Sequence, residues 1–79
     1  MITYNNTYTQ KIYIILIPLV GDYMARNILK TQTSKLGLTE EKIAKKDLPN
    51  LAEGIRKGLM AFIGGNGALQ VAGKITAII

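Results

Sequence analysis

The sequence predicts an all-α fold, a compact bundle of four or five helices whose first helix is kinked or broken near Pro18. Three observations lead there. Apolar residues recur at helical spacing through and beyond an uncharged run at 12–20, and a segment from Leu48 is amphipathic with the same period. Glycines and capping residues punctuate the chain between these segments. The bundle has four helices if Pro18 only bends the first, and five if it divides it.

Residues 1–6 read as a flexible tail and 7–79 as a single helical domain. Thr7 and Gln10 have the spacing of a capping box, so a helix is expected to open at Thr7. The run Ile12 to Ile15 alone could be a buried strand, since β-branched residues favour one. The residues beyond it decide for helix: Val20, Met24 and Ile28 continue at intervals of four, as do Tyr13, Ile17, Gly21 and Ala25. Asp22, Arg26 and Lys30 form a separate charged row in which Asp22 and Arg26 are placed to pair. Pro18 has no amide hydrogen and crowds the carbonyl of Ile14, so the kink is expected at 14–18. Gly37 reads as the residue that ends this helix, with Leu38 folding back.

Thr39 is placed to cap a short helix reaching Lys45 or Lys46, with Glu40 and Glu41 in the first turn. Asp47 and Pro49 begin the next helix, whose inward face is Leu48, Leu51, Ala52, Ile55, Leu59, Phe62 and Ile63. Gly54 and Gly58, four apart beside that face, suggest a groove where another helix packs closely. Gly64-Gly65 reads as the end of this helix. Asn66 caps a last one, with Ala68, Val71, Ala72, Ile75 and Ile79 facing inward.

Composition narrows the chemistry. The 79 residues contain no Cys and no His, which removes disulfides, the thiol nucleophile and the commonest general base. No spacing forces two carboxylates together, and Asp47, Glu40 and Glu41 are accounted for as helix-end acids. The Gly67–Lys74 stretch has five residues where a P-loop has four, and Ile75 where that motif needs a hydroxyl. The expectation is therefore no enzyme, no cofactor and no metal. An apolar run of nine residues rises only about 14 Å as a helix, against a hydrocarbon core of about 30 Å. Tyr23-Met24-Ala25 makes a poor signal cleavage site, so a cytoplasmic address is expected.

Leu36-Gly37-Leu38, Asp47-Leu48-Pro49, Leu51-Ala52, Ile55, Gly58-Leu59 and Phe62-Ile63-Gly64 resemble small uncharacterised all-helical proteins of archaea. The resemblance covers roughly residues 12–79. Some of those proteins have a saposin-like arrangement of about five helices, which implies that architecture and a link to lipid. The better-known saposin-like proteins are stapled by disulfides, which this chain has no Cys to form, and no functional residue carries over.

Two surfaces remain as candidates. The first half of the first helix is apolar nearly all round, so Ile12, Ile15 and Leu19 are the expected contacts for self-association, a protein partner or lipid. The expected role is a non-enzymatic interaction module. The alternative is nucleic-acid binding through the basic face of Lys30, Lys35, Lys42, Lys45 and Lys46, helped by a net charge of +5. That face lacks an interleaved aromatic and is diluted by Glu40 and Glu41.

Overall fold

The computed structural model describes residues 2–78 and is helical, with no strand among the described residues. It has two helices, not the expected bundle of four or five. Helix α1 spans Thr7–Lys35 and α2 spans Leu48–Thr76, joined by a connection that carries one 3₁₀ turn at Lys45–Asp47. The segment from Thr39 expected to be a short helix is a turn, closed by the Lys42 amide donating to the Thr39 carbonyl (3.0 Å). Too few residues separate Gly37 from Asp47 to repay the nucleation of a further helix.

Neither helix is straight. A 29-residue helix rises about 43 Å, which exceeds the longest dimension of the molecule, 28 Å. Each breaks at one glycine: Gly21 has φ 85° and ψ 167°, and Gly64 has φ 80° and ψ 167°. That region is open essentially to glycine alone, because a Cβ collides there with its own backbone.

The path of α1 confirms the reversal. Asn6 and Thr9, at its start, bond to the connection: the Asn6 side-chain amide donates to the carbonyls of Glu41 (3.2 Å) and Ile43 (2.8 Å), and the Thr9 hydroxyl to that of Glu40. Glu40 lies five residues beyond Lys35, a span of at most about 18 Å. Both ends of α1 therefore meet at the connection, and Gly21 is where the helix turns back. The bend comes three residues beyond the expected 14–18. Pro18 removes one backbone bond, but it is the glycine that takes the non-helical angles.

Capping explains the ends. Asn6, one residue before the expected Thr7, caps α1 by accepting from the Thr9 amide (3.1 Å). Gln10 instead accepts from the Tyr4 amide (2.8 Å), which draws residues 2–6 along the fold. At the other end Gly37 is left-handed (φ 72°), its amide donates to Ser34 and that of Leu38 to Thr33, as expected for a helix closed by Gly37. Asp47 accepts from the Ala44 amide (2.9 Å), closing the 3₁₀ turn from which α2 starts.

The core draws on both halves of both helices: Ile12, Tyr13 and Leu16, then Ala25, Ile28 and Leu29, pack with Leu51, Ile55 and Leu59, then Ala68, Val71 and Ile75. Phe62, expected inward, is 56% exposed, because α2 turns away two residues later. Gly64-Gly65 bends the helix where an end was expected, and Asn66 lies inside α2. Ile79 falls outside the described residues.

Replacing either bend glycine separates backbone strain from packing, since an added Cβ at Gly21 or Gly64 meets nothing within 4 Å. Gly21→Ala and Gly64→Ala should each lower unfolding free energy by about 1–3 kcal/mol, read by urea denaturation. Unchanged or raised midpoints would show that the reversals do not need glycine.

Candidate association surface

Each bend lies far along its own helix from the connection. The second half of α1 enters the connection and the first half of α2 leaves it. Gln32 of α1 lies directly over Gly54 and Gly58 of α2, the close approach that the glycine pair suggested. Counting back at helical rise, Gly21 and Gly64 each lie about 20–25 Å from the connection.

Six of the eight exposed large apolar side chains among the described residues flank these bends: Ile14, Leu19 and Tyr23 beside Gly21, and Met60, Phe62 and Leu69 beside Gly64. Tyr23 is 70% and Leu69 62% exposed. Residues 12–21 and 58–73 contain no charged side chain, and the part-exposed Asp22–Arg26 pair begins directly after Gly21. Of the three contacts expected from sequence, Leu19 is exposed, Ile15 is half-buried against the core, and Ile12 is fully buried inside the fold. Ile12 is thus a core residue, unreachable by a partner while the chain is folded. Tyr23, Met60, Phe62 and Leu69 were missed. Tyr23, Met60 and Leu69 stand off the inward rows, and counting the apolar residues left over from those rows would have found them, whereas Phe62 was expected on the inward row.

The connection and the end of α1 that enters it are basic. Lys30, Lys35, Lys42, Lys45 and Lys46 are all exposed, four of them within residues 35–46. Both ion pairs among the described residues use arginine, so no lysine there is paired. The structure brings these lysines to the connection end but sets no aromatic ring among them.

A polar cluster fastens the bend of α1. The Tyr13 hydroxyl, on a fully buried ring, donates to the Asp22 carboxylate across the reversal. The Ile2 amide donates to the same hydroxyl (3.2 Å), and the Tyr4 ring meets Tyr13 edge-on at 5.3 Å. Asp22 also pairs with Arg26 at 3.0 Å, as their spacing suggested. Arg26 Nε is buried with no partner among the described residues. The hydrogen bond from Tyr13, above the opposing effect of burial and the further help of Arg26, holds the Asp22 carboxyl below the usual carboxylate range. Burial, reinforced by the Asp22 carboxylate, pushes the Tyr13 hydroxyl up.

Helix α1 is long and apolar enough to cross a membrane by length and composition alone, with a mean hydropathy of 1.4 over eighteen residues of which 33% are buried in the fold. Gly21 falls inside every such window of α1, so in this fold the stretch is not straight. Among the described residues no group of acidic side chains is placed to hold a metal.

The two shifts set opposite pH limits. Asp22 titrates lower in the fold, so its contribution is present above the usual carboxylate range and lost as pH falls through the folded value. Tyr13 titrates higher, so its contribution is present below about pH 10 and lost as pH rises through the folded value. Tyr13→Phe should lower stability on the plateau between these limits and return Asp22 towards the ordinary range, read by carboxyl carbon NMR. An Asp22 titration unmoved by the substitution would remove the hydroxyl from this role. No protein-family model, no curated protein and no solved structure matches this chain.

Proposed function

We propose that this chain is a non-enzymatic helical interaction module that associates with a second copy of itself through the apolar surface beside its two glycine bends. The observation that carries this is the exposure of Ile14, Leu19 and Tyr23 near Gly21 in sequence, and of Met60, Phe62 and Leu69 near Gly64. Apolar surface left exposed beside both bends is what association removes from water. The charge layout favours a like partner. With the connection set off from each bend by about 20–25 Å of helix, two copies that meet at their bends keep the connection lysines at about that distance from the contact. That is well beyond the screening distance of about 8–10 Å at ordinary salt.

A second reading, nucleic-acid binding through Lys30, Lys35, Lys42, Lys45 and Lys46, is favoured only by the exposure of those five side chains without ion-pair partners among the described residues. It involves the connection rather than the bends, so the two readings respond to different substitutions.

Light scattering across a concentration series tests the proposal. The expected mass rises to twice the 8.6 kDa of one chain, and Leu19→Asp with Phe62→Asp returns it to one chain while the far-ultraviolet helical signal is kept. Both residues are exposed, so their replacement spares the core. A wild-type mass of one chain at the highest concentration contradicts self-association. Flotation of the wild type, but not the double variant, with neutral vesicles would reassign the same surface to lipid.

A further inference from the structure

Gly21 joins the two halves of α1 with no loop between them, since the residues on both sides of it are helical. At φ 85° the helical ladder stops and restarts, so carbonyls before the bend and amides after it lose each other as partners. A straight α1 would regain those bonds and take the glycine out of its left-handed angle. What keeps the helix bent is packing, because straightening draws Ile12, Tyr13 and Leu16 out of the core. A second copy opened in the same way offers these side chains an identical core to enter.

The contacts of residues 2–20 suit them to move as a unit. Within the segment, the Ile2 amide donates to the Tyr13 hydroxyl (3.2 Å), the Tyr4 amide to Gln10 (2.8 Å) and the Thr9 amide to Asn6 (3.1 Å). Those bonds travel with it. Its bonds to the rest of the chain are directional: Tyr13 donates to Asp22 beyond the bend, Asn6 to the carbonyls of Glu41 and Ile43, and Thr9 to that of Glu40. Every copy presents the same acceptors, so each of these bonds can re-form between two chains. The bend of α2 has no such guide. Among the described residues, no side-chain hydrogen bond from residues 65–76 crosses Gly64, and the Thr76 hydroxyl bonds only within its own helix.

We propose that α1 opens at Gly21 and that two copies exchange residues 2–20, each core then holding the first half of the other chain's α1. This pairing does not rest on the exposed apolar surface beside the bends. Surface association leaves the contacts within each chain intact, whereas exchange transfers them between chains. Glycine sets the balance towards the closed chain, because any other residue is penalised in the bend and favoured in a continuous helix. In dilute solution, where no second copy is at hand, replacing it only destabilises the fold.

Spin labels on Thr7→Cys and Ser34→Cys, both exposed positions, test the exchange. The labelled chain is unfolded in urea with an excess of unlabelled chain and refolded at high concentration, so that only distances within one chain are read. A dimer fraction is expected to survive dilution and to give about 40 Å, the length of a continuous helix between those positions. The single-chain fraction should stay within 28 Å. Gly21→Ala should raise the yield of that dimer about tenfold or more. Leu19→Asp with Phe62→Asp should leave it unchanged, which keeps this result apart from that of surface association. If Gly21→Ala does not fold, the distance in the wild-type dimer decides. The proposal is overturned if no dimer survives dilution, if its labels remain within 28 Å, if folded Gly21→Ala forms no more of it, or if the surface variant abolishes it.

Discussion

The architecture rests on a steric exclusion. At φ near 80° with extended ψ, any residue with a Cβ is penalised, and this chain places glycine at both points where that geometry occurs inside a helix. Everything else about the fold presupposes those two reversals. Without the one at Gly21, Asn6 and Thr9 could not reach the carbonyls of the connection, and Tyr13 could not reach Asp22. A chain with no disulfide has few ways to close a core. Folding two long helices back on themselves lets each bury apolar rows from both halves.

The reversals also divide the surface. At a bend, side chains on the outer side of both halves splay apart and find nothing to pack on. Apolar residues there stay wet unless another molecule covers them, as Tyr23 and Leu69 show most clearly. The connection end needs no such cover. It is held by polar contacts from Asn6 and Thr9 and by the Asp47 turn, and its lysines extend freely into water. The bends are thus suited to contact with apolar surface and the connection to contact with anions.

Much of this is legible in the residues alone, and the failures have physical reasons. The inward rows of both helices come from 3.6-residue spacing, and the closing turn at Gly37 comes from the need for a left-handed residue. The pairing of Asp22 with Arg26 and the close helix approach over Gly54 are equally local inferences. Spacing could not convey continuity. It puts the kink at Pro18 and a helix end at Gly64-Gly65, because proline and paired glycines usually mark interruptions. Here one glycine in each helix takes the reversal and helix resumes at once. The same error places Phe62 inside, since a straight helix would carry it onto the inward row. Ile12 groups with Leu19 because both lie on the side that Asp22 and Arg26 later occupy, yet the fold buries the first and exposes the second. Gln32 is invisible for another reason. A polar residue in an apolar row reads as a boundary until its neighbour across the interface is seen to be glycine.

The distance between the two ends of α1 tests the central claim most directly. Thr7 and Ser34 are exposed near those ends, and the chain has no native cysteine, so Thr7→Cys with Ser34→Cys can carry a pair of spin labels. A helix reversed at Gly21 predicts a distance within the 28 Å length of the molecule. A single population near 40 Å, about the length of a straight helix between those positions, would contradict it.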